Sequence, residues 1–138
     1  MNKIFDGKSR NKARIIVAGG RNFTDYALLS ATLTDVLKIN EGVDTVIVSG
    51  GCQGADSLGE RYAGEHGLQV VRFPAEWVVY GKAAGPIRNR KMVKYASEET
   101  GILVAFWDGE SRGTANMIRL AKQFGLQTKI TIYVKCGG

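Results

Sequence analysis

Three segments of the chain carry residue types that can hold an anion. Ser49-Gly50-Gly51-Cys52-Gln53-Gly54-Ala55-Asp56 is a glycine-rich turn behind an apolar run. Trp107-Asp108-Gly109-Glu110-Ser111-Arg112-Gly113-Thr114 is a second turn of similar design, and Gly85-Pro86-Ile87-Arg88-Asn89-Arg90-Lys91 clusters arginines between them. A strand that runs into glycines and then into a helix start aims bare backbone N–H groups and the positive helix end at one point. The missing side chains let a phosphate come close. Two such turns with arginines nearby point to a phosphorylated, nucleotide-type ligand.

Other residues refine that chemistry. Arg88 and Arg90 can each grip a phosphate through two parallel N–H bonds. On a helix that starts at Pro86, Arg88 and Lys91 share one face, and Arg90 and Lys94 another. Trp77 and Tyr80 precede this helix and suit a base stacked above its phosphates; equally, Trp77 could fill core at a sheet edge. Ser111 and Thr114 offer hydroxyls and a helix cap. Asp56, Asp108 and Glu110 are the acids at the turns. One of them could serve as a general base or hold a ribose hydroxyl, with Asp108 and Glu110 the candidates for catalysis and Asp56 better suited to capping its helix. Cys52 has no histidine near it in sequence to act as a base. Neither GxxxxGK[ST] nor GxGxxG is present, so the common nucleotide fingerprints do not apply.

The elements that must position these residues alternate along the chain. Continuous apolar runs predict buried strands over Arg14–Ala18, Thr45–Val48, Gln69–Phe73 and Gly101–Phe106, with a last strand over Thr128–Val134. Thr24 should cap a helix whose stripe is Tyr26, Leu29, Leu33, Val36 and Leu37. Ala55, Leu58, Tyr62 and Ala63 mark a second helix. A loop from Pro74 to Gly85 leads to a helix from Pro86 to about Tyr95, and a final helix runs from Thr114 to Phe124. Short links between strands and helices imply an α/β, Rossmann-like three-layer sandwich around a mostly parallel five-stranded sheet. Ligands of such sheets lie beyond the carboxyl ends of the strands. The Gly19-Gly20, Gly50-Gly51 and Asp108-Gly109 turns should therefore converge on one crevice, with Arg21 beside it.

The bulk composition fits one domain of 138 residues with a net charge of +6, a balance that favours anionic partners. Residues 1–13 read as a flexible basic arm, 14–134 as the ligand-binding domain and 135–138 as a tail. Cys52, Cys136 and His66 fall in no zinc or disulfide pattern, so no metal and no resident cofactor is expected. No signal peptide or membrane span is apparent, which predicts a reduced, cytoplasmic protein.

Five ordered motifs carry a resemblance to a known family: Gly19-Gly20-Arg21-Asn22-Phe23, Gly50-Gly51-x-x-Gly54-Ala55-Asp56, Phe73-Pro74-Ala75-Glu76-Trp77, Gly85-Pro86-Ile87-Arg88-Asn89-Arg90-x-Met92 and Gly113-Thr114-x-x-Met117. Over residues 14 to 134 the chain resembles the SLOG superfamily, in the YspA or cpYpsA-related branch common in bacteria and their phages. The resemblance implies a crevice for nucleotides or NAD-derived ligands. By position, Gly50, Gly51, Gly54, Gly113 and Thr114 would hold phosphate, Arg21 and Arg88 would add charge, and Asp56 a hydrogen bond. It also implies a homo-oligomer. The LOG phosphoribohydrolases of the superfamily carry PGGxGTxxE; here Met117 stands where their glutamate serves the reaction. Asn116 replaces the aspartate many members of the branch have, and an amide can bind a ribose but takes no proton. The expected function is thus binding of a phosphorylated nucleotide derivative through Gly20, Arg21, Ser49, Gly50, Gly51, Gly54, Asp56, Trp77, Arg88, Arg90, Gly109, Ser111, Gly113, Thr114 and Asn116. Nucleotide N-glycosidic hydrolysis is the alternative. Single-stranded nucleic-acid binding stands third, suggested by the charge and by the superfamily's DNA-binding protein DprA.

Overall fold

The computed structural model describes residues 12–134. The expected basic arm, apart from its last two residues, and the C-terminal tail lie outside them. Five strands form one sheet: β1 (Lys12–Gly19), β2 (Asp44–Ser49), β3 (Gln69–Arg72), β4 (Thr100–Trp107) and β5 (Gln127–Ile132). Their order is β3-β2-β1-β4-β5 and every pairing is parallel. The helices are α1 (Tyr26–Ile39), α2 (Ala55–Glu65), α3 (Trp77–Tyr80), α4 (Ala84–Ser97) and α5 (Arg112–Gln123).

Alternation along the strands builds two cores, one on each face. Ile15, Val17, Ile47, Ile102, Val104 and Phe106 meet Leu29 and Leu33 of α1 and Tyr62 of α2. Their neighbours Ile16, Ala18, Val46, Val48, Leu103 and Ala105 meet Met92 and Val93 of α4 and Met117 and Ala121 of α5. Helices on both faces bury the strands on both sides, which is why β1, β2 and β4 read as unbroken apolar runs. The Rossmann-like α/β fold follows.

The chain first steps from β1 outward to β3, then crosses back so that β4 pairs with β1. The links after β1 and β4 therefore part in opposite directions, and the gap between their carboxyl ends is where such sheets open a crevice.

Local differences from the sequence reading have physical causes. Asp25, not Thr24, caps α1, its carboxylate accepting the Leu28 N–H at 3.1 Å; a charged acceptor gains from the helix dipole as well. The segment expected as a loop contains α3 and a single 3₁₀ turn, Gly81–Ala83. Pro86 is the third residue of α4, where its missing N–H costs no helical bond. Helix α5 starts two residues early, at Arg112, because Ser111 caps it.

Candidate functional site

A crevice of about 760 Å³ opens at the switch point between β1 and β4. Its floor is Ala18, Gly19 and Gly20 at the end of β1, with Met92 and Met117 behind. Arg21 and Asn22 line one wall, Asp108, Glu110, Ser111, Arg112, Gly113, Thr114 and Asn116 another, and Trp77, Gly85, Pro86, Arg88 and Asn89 the third, with Cys52 and Asp56 at the base.

The second glycine turn meets this space directly. Asp108 Oδ1 accepts the N–H groups of Glu110 (2.9 Å) and Ser111 (2.8 Å), which folds the turn back on itself. Trp107 Nε1 donates to Ser111 O at 3.1 Å and pins its far side. The start of α5 is thereby presented to the crevice, and a Cβ on Gly113 would meet open space. Gly109 forms the exposed apex.

The first turn is used differently. A Cβ on Gly50 would sit 2.6 Å from Arg88 Nη1 and 2.9 Å from Asp56 Oδ2. This glycine makes room for the Arg88 guanidinium and the Asp56 carboxyl together. Gly54 has φ +81°, and a Cβ there would collide with the Gly20 carbonyl oxygen and approach the Arg21 backbone to 2.8 Å. That contact locks the turns after β1 and β2 together, with Ala55 N–H donating to Gly20 O at 3.3 Å. Ser49 is fully buried; its Oγ donates to Glu60 Oε2 (2.7 Å) and accepts from Gly51 N (3.0 Å), while Glu60 holds Arg72. Ser49, Gly50 and Gly54 thus build the base beneath the crevice and Gly51 stands exposed beside them, with open space at its Cβ position, whereas Gly20, Arg21, Asp56, Trp77, Arg88, Ser111, Gly113, Thr114 and Asn116 border the space itself.

Arg88 joins the two regions. Its Nη1 donates to Gly50 O (2.8 Å) and its Nε to Asn89 Oδ1 (2.9 Å). Nη2 has only the Cys52 sulfur, at 4.0 Å, among the described residues. One edge of the guanidinium is therefore committed to the protein and the other keeps donor capacity. Arg90 lies on the other face of α4, exposed, with its guanidinium 5.2 Å from the Phe124 ring centroid. It does not reach the crevice with Arg88. Tyr80 is likewise turned away from it.

Asp56 is the second residue of α2 and only 7% exposed. Instead of acting as the helix cap, it reaches back to accept the Cys52 N–H at 3.3 Å. Burial pushes its carboxyl up to about 6, against the opposing pull of the Cys52 N–H, Arg88 and the Gly50 N–H. A buried carboxyl in that range can change protonation close to neutral pH.

Three lining residues were not singled out from sequence. Asn89, 6% exposed, donates to Asn116 Oδ1 (2.9 Å) and Gly113 O (3.3 Å), tying α4 to the second turn. Asn22 accepts from Tyr133 Oη at 2.6 Å, which fixes the rim beside Arg21. Arg112 adds a cation in the first turn of α5. Asn22 and Asn89 lie inside the family motifs and Arg112 inside the second glycine turn, and only spatial proximity and, for Asn89, burial mark them as lining the crevice.

Among the described residues no three His, Cys, Asp or Glu side chains form a metal-binding group, and no helix is long and apolar enough to cross a membrane.

The family described as YspA, cpYpsA-related SLOG matches residues 13–80. The Gene 61 protein of Mycobacterium phage D29 is 31% identical over 118 residues, spanning 82% of this chain and 91% of that protein. DNA processing protein A (DprA) from Streptococcus pneumoniae superposes with a TM-score of 0.60 at 17% identity, over 86% of this chain. The chain spans half the length of that protein, and the likeness is one of fold.

Proposed function

We propose, for a chain that belongs to the YspA, cpYpsA-related SLOG family, that the switch-point crevice binds a phosphorylated nucleotide derivative and that the protein senses, carries or sequesters it. The observation that carries this reading is the open edge of Arg88. A guanidinium aligned by Gly50 O and Asn89 presents its remaining N–H groups toward a space also reached by Arg21, Arg112 and the start of α5. Trp77, half-exposed on the third wall, offers a face on which a base can stack. Asn116 and Asp56 supply amide and carboxyl partners for ribose hydroxyls. The volume lies within the range of small-molecule sites.

Binding is favoured over LOG-type hydrolysis by Met117, which is buried and lines the crevice at the position of the LOG glutamate. A second reading, single-stranded nucleic-acid binding, draws on the fold shared with DNA processing protein A and on the net charge of +6. The test is mass spectrometry of the purified protein incubated with AMP, ADP-ribose, NAD, cyclic dinucleotides and a single-stranded oligonucleotide. Intact retained ligand supports the binding reading. Released base with ribose phosphate makes the protein a hydrolase, and retention of oligonucleotide alone, falling steeply with salt, favours the second reading.

A further inference from the structure

A second, smaller pocket of about 230 Å³ lies on the other side of the α4 N-terminus. Phe73, Pro74, Tyr80 and Ile87 give it apolar and aromatic walls, and Lys91 stands at its edge. Its size is below that of sites enclosing a whole drug-sized ligand, so it accepts one ring or a similar fragment.

Arg88 lines both this pocket and the crevice. The first turn of α4 forms the ridge between them: Gly85 and Pro86 face the crevice, while Ala84 and Ile87 face the smaller space. Helix α3 repeats the division. Trp77 lines the crevice and Tyr80, three residues on, lines the second pocket. Each cavity thus has its own exposed aromatic ring, and the shared boundary is a guanidinium with one uncommitted edge. Lys91 approaches the Tyr80 ring to 5.9 Å and pairs, among the described residues, with Glu76 at 3.7 Å, an exposed pair that an incoming phosphate can replace.

We infer that the smaller pocket is a second ring subsite, and that the preferred ligand class is a dinucleotide: two ring systems joined by a phosphate bridge that crosses at Arg88. This rests on the nucleotide-binding reading of the crevice. One ring stacks at Trp77, its own phosphate meets Arg88, the second phosphate, which AMP lacks, reaches Lys91, and the second ring lies against Tyr80. Arg72 also borders the pocket, but Glu60 engages it through both Nε and Nη2, so it serves as wall.

The experiment is calorimetric titration of the full chain with AMP and with a diadenosine pyrophosphate, repeated on Tyr80→Ala/Lys91→Ala. Both side chains are substantially exposed, so the variant keeps the core. The expected result is roughly tenfold tighter binding of the dinucleotide than of AMP, from one additional stacked base. The double variant should reduce that preference to about twofold or less and leave AMP affinity unchanged. AMP binding with no dinucleotide preference, or a preference that survives in the variant, overturns the second subsite while the crevice reading stands. Failure of both probes to bind overturns both.

Discussion

Two glycine turns of similar sequence serve different ends in this molecule. Each follows a buried strand and opens a helix, yet Gly50 and Gly54 of the turn after β2 pack against the protein, whereas Gly113 of the turn after β4 faces open space. Around Gly50 and Gly54 every close approach is internal: the Arg88 guanidinium, the Asp56 carboxyl, the Gly20 carbonyl and the Arg21 backbone. Around Gly113 there is empty space facing the crevice. A glycine-rich strand-to-helix turn is thus two possible devices, a socket for neighbouring backbone or a cradle for a ligand. What decides between them is which chain segments the topology brings alongside.

The sharpest way to break this comparison is to add one methyl group to each turn. Gly54→Ala forces a side chain into a positive-φ position against the β1 turn and should cost about 2–4 kcal/mol of stability. Gly113→Ala, inside α5 with open space around it, should change stability by less than about 1 kcal/mol and in the stabilising direction. Its effect should appear in nucleotide affinity instead. Denaturant titration and calorimetry on the two variants read both quantities; equal losses of stability would erase the distinction.

Asp56 tests the closed region electrostatically. Its carboxyl is raised by burial to about 6 from an ordinary value of 3.8. The folded protein therefore holds a proton that the unfolded chain releases between those values. Stability from this group is greatest below about pH 4, falls as pH rises toward 6, and is level above. Asp56→Asn keeps an acceptor for the Cys52 N–H and removes the fall. The gap between variant and parent should widen by on the order of 2 kcal/mol from pH 4 to pH 7.5. Parallel stability–pH curves would contradict a buried, raised carboxyl.

The two arginines of α4 sharpen the comparison at the ligand. Arg88→Ala should weaken nucleotide binding about tenfold or more, given roughly 1.5–3 kcal/mol for hydrogen bonds to charged groups. Arg90→Ala should change it less than about twofold, because Arg90 lies over Phe124. Ser111→Ala removes the α5 cap and should cost about 1 kcal/mol of stability.

Much of the architecture was legible in the chain. The β1, β2 and β4 runs are apolar without interruption because helices cover both faces, and that alone announces a parallel sheet. Capping was less legible, since Thr24 and Asp25 are adjacent and both competent; only backbone geometry selects Asp25. Trp77–Ala83 was missed as helical because those residues bury nothing, so no periodic stripe marks them. In the site, helical spacing separated Arg88 from Arg90, but spacing cannot say which face meets the crevice. The motif marked Gly50 and Gly54 as important without revealing that their role is to admit Arg88 and the Gly20 backbone. Asn89, which ties α4 to the start of α5, looks in sequence like any polar helix residue.

A nucleotide phosphate is expected to enter the switch-point crevice at the open turn. Titrating isotopically labelled protein with AMP and following backbone amide shifts tests it most directly. The largest shifts are expected at Gly20–Asn22 and at Ser111–Asn116, with the outer face of α1 unmoved. Shifts concentrated away from those two segments, or none at saturating AMP, would contradict it.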